Sequence, residues 1–131
     1  VYSKKFVIRK VMETHTLDSS KAPLGRIASQ AARLLMGKHR PTFQRHKVLP
    51  IRVIISHSDN IVLSGRKWKQ KKYYRHSGFI GKLREFSAEE LRDRDSRQIL
   101  RHAVMGMLPK NKLRSRIIKN LIIHKGESPK A

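Results

Sequence analysis

The chain has 131 residues, with 31 Lys or Arg against nine Asp or Glu, a formal charge of +22 and no cysteine. That length suits one domain, residues 1–131, with a core of moderate size; the missing cysteines exclude disulfides and thiolate metal sites, and no apolar run approaches the ~20 residues that span a bilayer. Self-repulsion opposes compaction at such a charge, so a polyanionic companion is expected, and nucleic acid fits better than a membrane because no long basic amphipathic helix or lipidation motif is present.

Residues 1–12 are a basic, acid-free arm with Phe6, Val7 and Ile8 inside it. The arm faintly resembles a transit peptide and lacks the apolar core of a secretory signal. It reads equally as a tail that grips RNA or as an edge strand. Thr14 to Asp18 is β-leaning, and Ser19 to Pro23 is a turn. Leu24, Ile27, Ala28, Ala31, Leu34 and Leu35 recur at helical spacing, which predicts a helix with one apolar face. Arg26, Ser29, Gln30 and Arg33 fall on its other faces. Gly37 stands where a C-cap glycine belongs. Lys38-His39-Arg40-Pro41 follows, then Arg45-His46-Lys47, with Pro41 stopping any helical continuation. Val53-Ile54-Ile55 is a continuous β-branched run, the pattern of a strand buried on both faces. Ile61-Val62-Leu63 reads as another short strand.

Residues 65–84 hold eight Lys or Arg, no acid, and four of the chain's eight aromatics, including its one Trp. Cations neutralise phosphate, and rings and guanidinium planes stack on bases. The candidate contacts here are Arg66, Lys67, Trp68, Lys69, Lys71, Lys72, Tyr73, Tyr74, Arg75, His76, Ser77, Lys82 and Arg84. Gly78-Phe79-Ile80-Gly81 matches the G-x-x-G loop of KH domains. That loop joins two helices, whereas Tyr73 to His76 is β-leaning, so the glycines read as turns that bring backbone N–H groups near phosphate.

After Arg84 the charge reverses, and five of the nine acids lie between Glu85 and Asp95. This segment is expected to point away from RNA. Ser87-Ala88-Glu89-Glu90 has capping-box spacing, and Asp95-Ser96-Arg97-Gln98 offers a second helix start. Ile99, Leu100, Ala103, Val104, Met107 and Leu108 give a second buried helical face. Gly106 and Pro109 are expected to end that helix, Gly106 by admitting another backbone and Pro109 by fixing the exit. The exit aims Lys110, Lys112, Arg114 and Arg116 at RNA. Leu121-Ile122-Ile123 reads as a last buried strand. Helices alternate with strands and no repeat is present, so the fold class is α/β.

Seven histidines raise the question of metal or catalysis. None has the i, i+4 spacing of a helical zinc motif. Only His39 and His46 are close in sequence, in a basic loop that repels cations. Nuclease or phosphoryl-transfer chemistry wants convergent carboxylates, and Glu13, Asp18, Asp59 and Glu127 are scattered. Gly37-Lys38 lacks the rest of a P-loop, and His76-Ser77-Gly78 lacks a G-x-S-x-G frame. No cofactor and no small-molecule substrate are expected.

Several ordered segments carry a family resemblance. Leu24-Gly25-Arg26-Ile27-Ala28-Ser29, Gly37-Lys38-His39-Arg40-Pro41, Leu63-Ser64-Gly65-Arg66-Lys67 with Tyr74-Arg75-His76-Ser77-Gly78, Ala103 through Asn111, and Leu121-Ile122-Ile123 before Lys125-Gly126 together resemble the large-subunit ribosomal protein family L-thirteen, in its bacterial or organellar form. The resemblance implies a three-layer α/β/α fold with a small parallel sheet, here with basic loops and a basic N-terminal arm. It also implies a non-enzymatic structural role, tight binding to large-subunit ribosomal RNA, neighbouring large-subunit ribosomal proteins as partners, and early entry into subunit assembly. On that reading the RNA contacts are residues 65–84 together with Arg26, Arg33, Lys38, His39, Arg40, Lys110, Lys112, Arg114 and Arg116. The protein then sits on the cytoplasmic ribosome or an organellar one, with no membrane and no homo-oligomer. Pro50-Ile51-Arg52, His57-Ser58 and Gly81-Lys82 depart from the family pattern, the first two within residues 48–60. The alternative function is a free repressor that binds messenger RNA with the same surface.

Overall fold

The computed structural model describes residues 12–128. The expected basic arm falls on residues 1–12, so all of it but Met12 lies outside the described residues.

The fold is α/β. Three parallel strands, β1 (Glu13–Asp18), β2 (Ile51–Ser56) and β5 (Leu121–Ile123), form a sheet in the order β1-β2-β5. A second, antiparallel pair joins β3 (Lys72–His76) to β4 (Leu83–Ser87). The helices are α1 (Leu24–Met36), the single turn α2 (Lys67–Gln70), α3 (Ala88–Met107) and the single turn α4 (Arg114–Ile117).

β2 is the central strand of its sheet, and it alternates. Ile51, Val53 and Ile55 are fully buried, Ile54 is half-buried and Arg52 is exposed. The β-branched run is therefore covered fully on one face only. Across the register Thr14 and Thr16 share the more open face with Arg52 and Ile54. On the covered face lie Leu24, Ile27, Ala28, Ala31 and Leu35 of α1, with Ile99, Leu100 and Val104 of α3 in the same cluster. The expected face of α1 is thus the observed one, with Ala32 added and Leu34 half-buried.

Helix ends follow local chemistry. Gly37 takes φ 75°, and the N–H groups of Gly37 and Lys38 return to the carbonyls of Leu34 and Arg33 at 3.0 and 3.2 Å. This is a left-handed C-cap, a conformation that suits glycine. At the start of α3 the Ser87 hydroxyl accepts from Glu90 N–H while the Glu90 carboxylate accepts from Ser87 N–H, a complete capping box. Asp95 leaves helical geometry at φ −160° and ψ 97°, and its carboxylate accepts from Arg97 N–H. The second helix start expected at Asp95 is therefore real, and α3 is two helices joined at a kink.

Other expectations need correction, among them Met107, which is 42% exposed and so lies off the expected buried face of α3. Residues 61–63 do not form a strand; Val62 makes one isolated bridge to Pro23. Its neighbour Pro23 offers one bridge and no N–H to extend a ladder, and Ile61 alone is buried. Gly106 admits no close backbone, since nothing lies within 4 Å of where its Cβ would stand. The helix continues through it to Met107, and Leu108, 2% exposed, anchors the exit.

Candidate nucleic-acid interface

The β3–β4 hairpin carries the densest basic chemistry. Its register pairs Tyr74 with Glu85, Arg75 with Arg84 and His76 with Leu83. Residues 77–82 turn the chain, with Gly78 at φ 86° and Gly81 at φ 75°. Gly78 N–H donates to His76 Nδ1 at 2.9 Å, which fixes the start of the turn. The tip presents Phe79 at 70% and Ile80 at 94% exposure. Large apolar groups held in water at the end of a basic hairpin are a contact surface in waiting.

The period-2 alternation of β3 sorts its aromatics. Tyr73 turns inward against His102, with ring centroids 5.6 Å apart, and its burial pushes the phenol above its ordinary value. Tyr74 faces out at 63% exposure. Trp68 on α2 is half-buried against the core, and the Arg92 guanidinium stands 4.8 Å over its ring. Of the four rings in residues 65–84, Tyr74 and Phe79 are thus free to meet a base, while Trp68 and Tyr73 hold the segment onto the body. Lys72 is also engaged, 3.0 Å from the Glu85 carboxylate, which raises its pKa above the usual lysine value. Glu85 therefore belongs to the hairpin and not to the exposed acidic helix that its sequence neighbours suggest.

Beside the hairpin lies a cleft of about 310 Å³ lined by Arg75, Ser77, Lys82, Arg84, Phe86 and Arg94. Four cations share it with no carboxylate. Arg94 stacks over Phe86 at 4.4 Å. Such convergence is costly without an anion and suits a phosphate. Arg94 escaped sequence reasoning because it stands among acids. The alternation of Arg92, Arg94 and Arg97 with Glu89, Glu90, Asp93 and Asp95 was the available signal.

A second basic region surrounds the end of α1. The cap at Gly37 sends Lys38 into solvent, while His39 and Arg40 fold back onto β1. Glu13 Oε1 lies 3.2 Å from His39 Nε2, and Glu13 Oε2 accepts from Arg40. His15 Nε2 stands 2.6 Å from the same Oε1 without forming a hydrogen bond. The His15 and His39 rings meet edge-on at 5.1 Å. Ligand atoms of Glu13, His15 and His39 lie within 4.8 Å of one another, a grouping that sequence spacing did not disclose because the loop after α1 brings His39 back onto β1. With Arg40 on the same carboxylate, the arrangement ties the basic loop to the sheet.

Lys38, Arg45 and Lys47 line a groove that Met107, Pro109 and Asn111 close from the other side. Met107 also lines a neighbouring cleft with Lys67, Lys71 and His102, so α1, α2 and α3 contribute to adjoining surface. Arg66, Lys69, Lys110, Lys112 and Arg116 are exposed, and Arg114 is half-buried at the start of α4. Arg26 and Arg33 are exposed on α1 and line neither cleft.

Catalytic geometry is a poor fit. Asp18 Oδ1 lies 3.3 Å from His57 Nδ1, yet Ser19 Oγ donates to the carbonyls of Ser56 and His57 at 2.8 and 2.6 Å. Hydrogen bonds from Ser20 hold the Asp18 carboxyl below its ordinary value. These contacts fix the turn after β1, and among the described residues His57 Nδ1 has no hydrogen-bond partner. Among the described residues no helix is long and apolar enough to cross a membrane.

Comparison with known proteins converges on one family. The family model described as Ribosomal protein L13 matches residues 12–130. A large ribosomal subunit protein uL13 of Syntrophobacter fumaroxidans is 44% identical over 110 residues, covering 84% of this chain and 78% of that protein. The Clostridioides difficile protein of the same name is 42% identical over 112 residues, covering 86% and 78%. That of Thermobifida fusca is 43% identical over 112 residues, covering 86% and 75%. The segments that carried the resemblance lie within the matched span, and the chain belongs to the Ribosomal protein L13 family.

Proposed function

We infer that this chain is a structural, non-enzymatic constituent of the large ribosomal subunit, holding large-subunit ribosomal RNA through its basic hairpin and loops and joining the subunit early in assembly. One observation carries the RNA contact: Arg75, Lys82, Arg84 and Arg94 converge on a single cleft with no acid among its lining. Family membership supplies the ribosome as the setting. Neighbouring large-subunit proteins are the other partners, and a cytoplasmic ribosome is the location that the bacterial relatives support.

Sedimentation tests this reading. The chain is mixed with large subunits lacking their own copy and run through a high-salt gradient. Co-migration with the subunit is the expected result. A chain that stays at the top of the gradient and instead binds messenger RNA overturns it in favour of a free repressor.

A further inference from the structure

The groove beside Met107 differs from the rest of the basic surface. It is about 460 Å³, within the roughly 300–1,000 Å³ typical of small-ligand sites. Its floor is apolar, formed by Met36, Leu108 and Ile117, and the half-buried Phe43 ring stands in its wall. Its rim carries Lys38, Arg45 and Lys47 with no carboxylate. Two amides, Gln44 and Asn111, complete the lining. Asn111 Oδ1 accepts from Leu113 N–H at 3.1 Å, which orients that side chain and leaves its NH₂ as the free donor.

A phosphate alone has no use for an apolar floor and a ring. An apolar peptide has no use for three cations. A nucleotide uses both, because its base is flat and hydrophobic, its edge takes hydrogen bonds and its phosphate is anionic. A duplex cannot enter a groove of this size, so the base must be unpaired. We propose that this groove takes one unpaired RNA nucleotide, its base stacked on Phe43 and its phosphate among Lys38, Arg45 and Lys47. The proposal rests on the RNA-binding reading above. It adds a preference for a loop or bulge at one place in the RNA, where the hairpin cleft meets backbone only.

The test uses the full chain and large-subunit ribosomal RNA transcribed in vitro. Phe43→Leu keeps an apolar wall and removes the ring. It should weaken binding by roughly tenfold, the scale of one lost base stack, without changing the log–log salt slope. Melting should stay near that of the native chain. Ultraviolet irradiation of the native complex should attach a nucleotide within residues 41–45. If Phe43→Leu melts early, Gln44→Ala gives the second reading, a several-fold loss of affinity with unchanged melting. Native affinity in these variants, or attachment of Phe43 to a neighbouring protein in assembled subunits, overturns the proposal. In that event a steep salt slope for the native chain leaves the broader RNA-binding role standing; a flat slope removes both.

Discussion

Arg75 and Arg84 stand opposite each other across the β3–β4 ladder. Like charges so placed weaken a strand pair by roughly 0.2–1 kcal/mol. The hairpin has an acid at hand, but Glu85 lies beside Lys72 and not between the arginines. A phosphate in the cleft between them turns the repulsion into attraction. Arg84→Glu is therefore expected to stabilise the free chain by roughly 0.5 kcal/mol, as an opposite-charge cross-strand pair forms. The same change should weaken binding to large-subunit ribosomal RNA and flatten the log–log salt slope by about one unit or more. Thermal melting and binding across a salt series measure both. Unchanged affinity and slope would show that this pair meets no phosphate.

How far the sequence reveals such a site depends on the range of the interaction. α1 is readable because its apolar positions repeat within one helix, and the caps at Gly37, Ser87 and Asp95 because each is settled within a few residues. The stretch at residues 61–63 misleads because strand formation needs a partner, and Pro23 supplies one bridge only. Trp68 and Tyr73 look like free stacking rings until tertiary contacts place Arg92 and His102 beside them. Arg94 is hidden by its acidic neighbours, and Glu13 by 26 residues of separation from His39. The basic segment is legible in composition; which of its members face outward is decided by strand alternation and by α3.

Gly37 offers a test of how the α1 cap presents its loop. An added Cβ there would collide with Leu49 Cδ1 and come within 3.3 Å of Ile51 Cδ1, on a backbone at φ 75°. Gly37→Ala is expected to cost at least about 1 kcal/mol, the left-handed penalty alone. The loss should carry a local signature, faster amide exchange at Lys38 and Arg40 than in α3. Uniform exchange changes, or native stability, would mean that the cap does not position this loop.

Leu108 separates packing from contact. It is 2% exposed, whereas Met107 beside it is 42% exposed. Leu108→Ala should cost about 2–5 kcal/mol, the transfer and cavity cost of a buried leucine. RNA affinity should then fall through lost fold, with the salt slope unchanged because no phosphate contact is removed. Met107→Ala should alter melting by no more than about 0.5 kcal/mol, as at other exposed positions. Native melting for Leu108→Ala together with collapsed affinity would reassign Leu108 to the RNA contact.

The kink in α3 gives an acid-side prediction. Arg97 Nε and Nη2 donate to the Asp95 carboxylate at 2.9 and 3.2 Å, and the same carboxylate accepts from Arg97 N–H. The side-chain hydrogen bonds are the largest cause holding the Asp95 pKa below its ordinary 3.8, with burial opposing them. A carboxyl with a lowered folded pKa binds protons less readily in the folded chain than in the unfolded one. Its stabilisation is thus complete above the unfolded pKa of about 3.9 and disappears as pH falls through the lower folded value. Asp95→Asn retains capping oxygen but has no charge to lose. The native chain should melt above this variant at pH 7, and the gap should narrow from about pH 4 downward. Melting curves of both chains between pH 7 and the acid limit of folding decide it. A gap that stays constant through acid would mean that the Asp95 charge contributes nothing to the joint between the two halves of α3.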